Sequence, residues 1–330
     1  MTIDTLYIEE AVAEHPRVLA IRRRFPKARI VFCRRHGEVF NAKAQNFRLQ
    51  KRRPALILAE KHRGFVLPAP EGYGIGARRN YYFSHMLNCL YDCRYCFLQG
   101  MYRSAHYVWF VNYEDFQREI RQIADTSPEP AHFFSGYDCD SLALEPLTRF
   151  AENFLPLFRE LPNALLELRT KSTQIRTLLD REAPPNCVVA FSFTPEEIAA
   201  AIEHKTPDNL RRLEALRKLQ ARGWPIGLRF DPVIYQAGCK EQYRRLFAEI
   251  FRVIDGERLH SVTLGVFRQP EAFFKTMERL YPEEALFAGP LVARDGRVSY
   301  RAELEEDLFG FCREELLQYI PEEKFFPCRA

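Results

Sequence analysis

The 330-residue sequence lacks any long uncharged run. The longest, between Glu182 and Glu196, is too short to cross a bilayer, which takes about 20 apolar residues. The first ten residues, MTIDTLYIEE, lack the basic and then apolar regions of a signal peptide. With 47% apolar residues and Gly and Pro spread along the chain, collagen-like and disordered architectures are excluded. We expect a cytoplasmic protein with no membrane partner.

The net charge of +4 hides an asymmetry between the front of the chain and the rest. Residues 1–80 carry 17 Lys and Arg against 7 Asp and Glu, whereas the remaining residues carry 31 against 37. A basic front part suggests a polyanionic partner such as a nucleic acid. Runs of like charge are also common on solvated faces, so this alternative stays open.

The nine cysteines do not indicate a disulfide framework, because their number is odd and the expected compartment is reducing. Cys89, Cys93 and Cys96 stand together in CLYDCRYCF. Three thiolates at CxxxCxxC spacing suit three irons of a 4Fe-4S cluster, leaving the fourth iron open to a small molecule. The alternatives are a zinc site completed by His85 or His106, and three core cysteines that are neighbours by chance.

Alternation of strands and helices predicts an α/β fold. Six strand–helix units follow the glycine-punctuated loop PAPEGYGIGARRN, with strands at residues 81–86, 131–136, 164–170, 187–193, 225–231 and 261–267. Six units are fewer than the eight of a closed barrel, so we predict a partial (β/α)6 barrel. The helix after the fourth strand is expected to turn Leu210, Leu213, Leu216 and Leu219 inward.

The barrel is expected to lie between two smaller parts. We predict a basic N-terminal α/β unit (residues 1–78), the barrel (79–285) and a C-terminal hairpin and helix (286–330). An Asp-Gly pair in VARDGRVSYR predicts the C-terminal β-hairpin. Its Arg294, Arg297 and Arg301 would contact nucleic-acid phosphates, and Tyr300 would stack on a base.

The CxxxCxxC loop directly follows the first barrel strand and has an aromatic residue, Tyr95, before its last cysteine. This arrangement resembles radical S-adenosylmethionine (SAM) enzymes. The segments LYIEEAVAEHPRV, CRYCFLQG and DSLALEPLT and the tail hairpin are similar to the spore photoproduct lyase family, over nearly the whole chain. The resemblance implies a 4Fe-4S cluster and S-adenosyl-L-methionine as cofactors, and an electron donor such as flavodoxin or ferredoxin. We expect a monomer.

The resemblance also implies a reaction. In such enzymes the reduced cluster cleaves SAM to methionine and a 5′-deoxyadenosyl radical, which takes hydrogen from the substrate. The family's substrate is a methylene-bridged thymine dimer in DNA. We therefore predict a carbon–carbon lyase that repairs or modifies a nucleic-acid base lesion. The alternatives are a radical SAM enzyme with a non-DNA substrate, and a metal-containing nucleic-acid-binding protein without catalysis.

The resemblance places cofactor contacts at successive strand ends. The candidates are Tyr95 against adenine, Ser135 and Gly136 in the turn after the second strand, Asp140 or Asp138 for the amino group, Lys171 near the nucleoside and carboxylate, Ser192 on the fourth strand, and Asp231, through its backbone, after the fifth. Taken singly, each polar residue also fits a surface loop. Their shared position at strand ends favours a site.

The sequence departs from the family at the hydrogen donor. Tyr137 stands where the family lyase has its donor cysteine, and Phe97 where it has a tyrosine that relays hydrogen. Cys139 could replace that cysteine if the segment is extended, because residues i and i+2 then face the same way. The candidates for the donor are therefore Cys139 and Tyr137, and loss of the repair reaction in favour of another substrate is the alternative.

Overall fold

The computed structural model describes residues 2–328; Met1, Arg329 and Ala330, at the ends of the expected first and last parts, lie outside them. The strands are β1 (Thr5–Glu9), β2 (Arg29–Cys33), β3 (Leu56–Ala59), β4 (Leu67–Pro68), β5 (Arg79–Phe83), β6 (Met86–Leu87), β7 (Asp92–Cys93), β8 (Tyr107–Phe110), β9 (Ala131–Ser135), β10 (Ala164–Thr170), β11 (Cys187–Ser192), β12 (Glu203–His204), β13 (Ile226–Val233), β14 (Leu259–Val266), β15 (Arg268–Pro270), β16 (Leu291–Arg294), β17 (Arg297–Tyr300) and β18 (Phe325–Pro327). The α-helices are α1 (Pro16–Arg24), α2 (His36–Phe40), α3 (Phe47–Arg52), α4 (Leu98–Met101), α5 (Tyr113–Thr126), α6 (Glu145–Thr148), α7 (Phe150–Arg159), α8 (Arg176–Leu179), α9 (Glu196–Ile202), α10 (Asn209–Ala221), α11 (Cys239–Phe251), α12 (Glu271–Leu280) and α13 (Ala302–Leu316).

The larger sheet has eight strands in the order β18-β14-β13-β11-β10-β9-β5-β4. Its six central strands are the six predicted ones, they are neighbours in chain order, and they pair in parallel. This confirms the partial (β/α)6 barrel. At the edges, β4 runs antiparallel to β5 and β18 runs parallel to β14. The carboxyl ends of the parallel strands meet at one mouth, where barrel active sites lie.

Alternating side chains give these strands two different faces. Phe133 of β9 packs edge-on against Phe158 of α7, with ring centroids 5.7 Å apart, so this face holds the helices. On the opposite face, Glu167 of β10 binds Arg229 of β13 by a 2.6 Å hydrogen bond, and Arg229 also bonds Ser261 of β14. The barrel interior is therefore polar, and its buried charged groups are paired as they must be away from water.

The smaller sheet has the order β2-β1-β3-β8-β6. Strands β8 and β6 belong to it although they lie beyond residue 78, because β8 pairs in parallel with β3 along its otherwise open edge. At the other end of the chain, β18 joins the barrel sheet although it lies beyond residue 285. Strand pairing thus crosses both expected boundaries. The division into 1–78, 79–285 and 286–330 stays a prediction about folding units and does not describe the sheets.

In helix α10, one of the four leucines expected to face inward does not do so. Leu210 is 77% exposed, whereas Leu213, Leu216 and Leu219 are buried as predicted. The inner face of the first turn is taken instead by Arg212, whose guanidinium bonds the buried carboxylate of Glu203 at 2.6 Å. A buried ion pair therefore replaces the expected leucine contact at this end of the helix.

The predicted C-terminal hairpin is formed by β16 and β17, with Asp295 and Gly296 at its turn. Strand β17 also pairs with β15, which follows the carboxyl end of β14. The hairpin therefore stands at the mouth of the barrel, next to the site described below. Within residues 2–328, every helix is too short or too polar to span a membrane.

Candidate active site

The three-cysteine loop lies between the first barrel strand and β8 and is tied to the segment after the fourth strand. Strand β7 pairs antiparallel with β12, which places Cys93 opposite Glu203. The amide of Arg94 adds a 2.8 Å hydrogen bond to the carbonyl of Ile202. The guanidinium of Arg94 lies 2.7 Å from the carboxylate of Asp92. The loop is thereby fixed to the barrel rather than free to move.

The three loop cysteines interact electrostatically with one another; Cys93 is buried, and Cys89 and Cys96 are partly exposed. All three are free thiols. Burial raises the pKa of each, to about 12 for Cys89, and the other two sulfurs raise the pKa of Cys93 further. Lys171 and Lys51 act in the opposite direction on Cys96. Thiolates in such a place need a strongly cationic partner, and cluster irons held by three thiolates would supply it. The donor set therefore fits the expected cluster.

The two histidines of the zinc alternative make other contacts. His106 Nδ1 accepts a hydrogen bond from the amide of Ala55 at 3.1 Å, and His85 stacks on Phe150 at 3.9 Å. These contacts favour the cluster over a zinc site completed by either histidine.

A buried network joins the loop to the barrel. The Tyr95 hydroxyl donates to Glu203 at 2.5 Å, and Arg212 Nη2 donates to the other carboxylate oxygen at 2.6 Å. The ammonium of Lys171 lies 3.8 Å from Glu203 and 5.5 Å from the centre of the Tyr95 ring. Burial opposes ionisation of Glu203, but Lys171 and Arg212 lower its pKa overall. Tyr95 and Lys171, two predicted cofactor residues, are thus held side by side.

Sequence reasoning missed Glu203 and Arg212. One signal for Arg212 was present, since it lies four residues before Leu216 and seven before Leu219, on the inner face of α10. An arginine on such a face indicates a buried acidic partner. No local pattern marks Glu203, which follows a short helix.

The turn after the second strand is shaped by the residues predicted there. Ser135 is 1% exposed and bonds Ser141 Oγ and the carbonyl of Glu167, both at 2.8 Å. The Asp140 carboxylate accepts four hydrogen bonds, from the amides of Leu142, Ala143 and Lys171 and the hydroxyl of Thr170. These bonds hold the turn in place. Direct contact of Ser135 and Asp140 with the cofactor stays a prediction.

Gly136 has a physical reason to be glycine. Its φ is +82°, and a Cβ atom there would lie 2.6 Å from Ser141 Oγ and 3.1 Å from the carbonyl oxygen of Arg169. Only glycine fits without displacing these atoms. The turn can therefore approach β10 closely, which brings the second and third strand ends together at the mouth.

The remaining cofactor candidates lie at strand ends as predicted. Ser192 ends β11 and is buried, and its carbonyl accepts from Arg212 Nη1 at 3.2 Å. The carboxylate of Asp231, near the end of β13, is held by Arg268 at 2.9 Å. This leaves the backbone of Asp231 for the predicted contact. Their cofactor roles stay predictions.

The structure separates the two candidate hydrogen donors. Residues 137–139 form a bend, so the premise of an extended segment for Cys139 is wrong. Cys139 is 7% exposed, and its sulfur accepts a hydrogen bond from the backbone of Met86. Tyr137 is half-buried, and its ring centroid lies 4.4 Å from that of Tyr82 and 5.4 Å from that of Phe97. Tyr137 is therefore the more accessible of the two.

The structure of the hairpin contradicts one of the predicted nucleic-acid contacts. Arg294, Arg297 and Arg301 are exposed, in agreement with a role at phosphates. Tyr300 is 1% exposed, and its hydroxyl accepts from the amide of Tyr235 at 2.8 Å. The prediction that Tyr300 stacks on a base is therefore wrong, because its ring lies in the core that supports the hairpin.

A partial barrel of six parallel strands, with three cysteines on the loop after its first strand, defines a radical SAM enzyme. The family model for spore photoproduct lyase matches residues 78–287. The chain belongs to the spore photoproduct lyase family. The spore photoproduct lyase of Bacillus subtilis (strain 168) is 24% identical to it over 293 residues, which cover 85% of this chain and 83% of that protein.

Solved structures show the same fold. A spore photoproduct lyase mutant with bound AdoMet and dinucleoside spore photoproduct superimposes with a TM-score of 0.86 at 20% identity, covering 99% of this chain and 98% of the other. A spore photoproduct lyase complexed with dinucleoside spore photoproduct gives 0.84 at 20% identity, covering 100% and 99%. The similarity in fold thus extends over the entire described chain.

Proposed function

We propose that this protein is a radical SAM lyase that repairs or modifies a base lesion in DNA, such as a thymine dimer. The family match carries the proposal, because it spans the cysteine loop and all six central strands. Cys89, Cys93 and Cys96 would hold a 4Fe-4S cluster, and Lys171 and Tyr95 would face SAM. When bound, these cofactors supply a 5′-deoxyadenosyl radical that takes hydrogen from the substrate.

The protein's own residues would orient SAM and the DNA substrate by pairing positive side chains with their negative groups. The ammonium of Lys171, 14% exposed in its side chain, offers a cation to the carboxylate of SAM. The exposed hairpin arginines at the mouth would contact phosphates on either side of the lesion. A one-electron donor such as flavodoxin or ferredoxin, a monomeric state and a cytoplasmic location belong to the same proposal.

Lesion turnover tests the proposal. Protein reconstituted without oxygen, reduced and given SAM should convert an oligonucleotide carrying a methylene-bridged thymine dimer to one with two thymines. The same oligonucleotide without the lesion, and the Cys96→Ala variant, are the controls. SAM cleavage with no change in the lesion would contradict the proposed substrate.

That result would favour the second candidate, a radical SAM enzyme acting on a different substrate. One observation supports this candidate: Tyr137 and Phe97 occupy the positions where the family resemblance implies a cysteine and a tyrosine, and the structure places their rings in one cluster. Different residues at the two hydrogen-transfer positions fit an enzyme whose product radical also differs from that of the family lyase. Comparison of 5′-deoxyadenosine release with and without damaged DNA distinguishes the two candidates.

A further inference from the structure

The barrel interior holds one carboxylate between two guanidinium groups. Glu167 accepts from Arg229 Nη2 at 2.6 Å and Nε at 3.2 Å, and from Arg169 Nε at 3.1 Å. Burial alone would raise the pKa of Glu167, but Arg229 and Arg169 lower it to about 2, so the group is ionised at neutral pH. The three side chains together therefore carry one uncompensated positive charge.

Neighbouring groups leave this charge unbalanced. Asp231 interacts with Arg169 but is paired with Arg268 at 2.9 Å. Burial lowers the pKa of His132 and lowers that of His260 to about 4, so both imidazoles are neutral and add no charge. The surplus charge therefore lies on Arg169, whose side chain is partly exposed and can pair with an anionic ligand.

Only one of the two arginines is open to a ligand. Arg229 is fully buried, and its three nitrogens bond Glu167, the carbonyls of Leu228 and Ser261, and Ser261 Oγ. Arg169 is 32% exposed in its side chain, and within residues 2–328 it donates to the protein only through Nε. Its two Nη groups are therefore available, and they form the planar fork that matches a phosphate.

Two tyrosines interact electrostatically with Arg169. Burial raises the pKa values of Tyr137 and Tyr73, and the positive charge of Arg169 acts in the opposite direction on both. Tyr82 packs on Tyr137 with ring centroids 4.4 Å apart. Aromatic faces beside a cation are the combination that binds a nucleobase and its phosphate together.

We propose that Arg169 binds the phosphodiester that joins the two nucleosides of the lesion, so that the enzyme prefers a lesion in a nucleotide chain to one in a dinucleoside. This inference rests on the proposed function. A second source of the same anionic chemistry is the carboxylate of SAM. Lys171, which follows the end of β10 and lies close to the cysteine loop, is already suited to that carboxylate.

The test compares two probes that differ only in the linking phosphate. Affinities of the anaerobically reconstituted holoenzyme are measured for the thymine-dimer dinucleotide and for the dinucleoside lesion, and SAM affinity is measured alongside. A charge-assisted contact predicts that the dinucleotide binds about 10- to 100-fold more tightly.

Arg169→Gln should abolish this preference while leaving dinucleoside and SAM affinities within about twofold. Arg169→Lys should keep part of it. Arg176→Gln, on a side chain that is 94% exposed, is the matched control.

Several results would overturn the inference. One is equal affinity of the unmodified enzyme for both probes, and another is an undiminished preference in Arg169→Gln. Weaker SAM binding in Arg169→Gln would assign the anion to the cofactor and also refute the inference. If the enzyme repairs the lesion but shows no preference for the phosphate, the inference fails and the proposed function stands. If neither probe binds, the inference and the proposed function are both contradicted.

Discussion

At the scale of single residues, the donor position decides which product the enzyme can release. Tyr137 is half-buried, and burial raises its pKa to about 12, so the phenol keeps its hydrogen at neutral pH. Cys139 is the last residue of the bend, and burial also keeps its thiol protonated. Both groups carry a hydrogen, and the greater exposure of Tyr137 favours it as the donor.

Tyr137→Phe should therefore still cleave SAM but release misquenched or adducted product. Cys139→Ala should release the normal product, because its sulfur faces the backbone of Met86. Mass spectrometry of the products, with 5′-deoxyadenosine quantified in the same samples, measures both effects. The reverse pattern would assign the donor to Cys139, and normal product from both variants would exclude both residues.

For several residues, the sequence predicted the position in the fold but not the role of the side chain. Strand-end spacing placed Lys171, Ser192 and Asp231 at the mouth, where the structure has them. The roles of Ser135 and Tyr300 were not predictable, because they depend on Glu167 and Tyr235, which lie 32 and 65 residues away in the chain. A hydroxyl whose partner is distant in sequence cannot be distinguished from a free one by local pattern.

At the scale of elements, periodicity was sufficient for the long strands. The six central strands alternate or run apolar over five to eight residues, enough to predict each of them. The two-residue strands β4, β6, β7 and β12 carry no periodicity, since they exist only through tertiary pairing. The pairing of β7 with β12, which holds the cysteine loop, therefore could not be predicted from the sequence.

The role of Glu203 in that pairing can be measured. Glu203→Ala leaves Arg212 as an unpaired buried charge and should lower the free energy of unfolding by about 3–5 kcal/mol. Chemical denaturation of the variant and the unmodified protein gives this value. Glu214→Ala, on the exposed side of α10, should have little effect, because its ion pairs with Arg217 and Lys218 lie in solvent. A Glu203→Ala variant as stable as the unmodified protein would contradict the structural role of the network.

At the scale of the whole molecule, the basic front part and the hairpin would hold DNA while the barrel acts on it. The hairpin pairs with β15 just beyond the carboxyl end of β14, and its arginines are exposed. The net charge of +4 is small, so binding would depend on where the charge lies rather than on its total.

DNA affinity should therefore fall steeply with salt as counterions are released. Arg294→Ala combined with Arg297→Ala should weaken binding and reduce the slope of log affinity against log salt by about 2, or about 0.9 for each lost phosphate contact. Arg176→Ala combined with Arg211→Ala, two exposed arginines on α8 and α10, controls for lost charge. An unchanged slope in the hairpin variant would make its arginines part of an ordinary solvated face.

The central claim is that radical chemistry takes place at the three-cysteine loop, and SAM cleavage tests it most directly. Anaerobically reconstituted protein should hold about four irons per chain and, once reduced, release 5′-deoxyadenosine from SAM. Cys89→Ala, Cys93→Ala and Cys96→Ala should each lose this release, while Cys33→Ala, in the smaller sheet, should keep it. Release that survives loss of a loop cysteine, or protein prepared without oxygen that binds zinc in place of iron, would contradict the account.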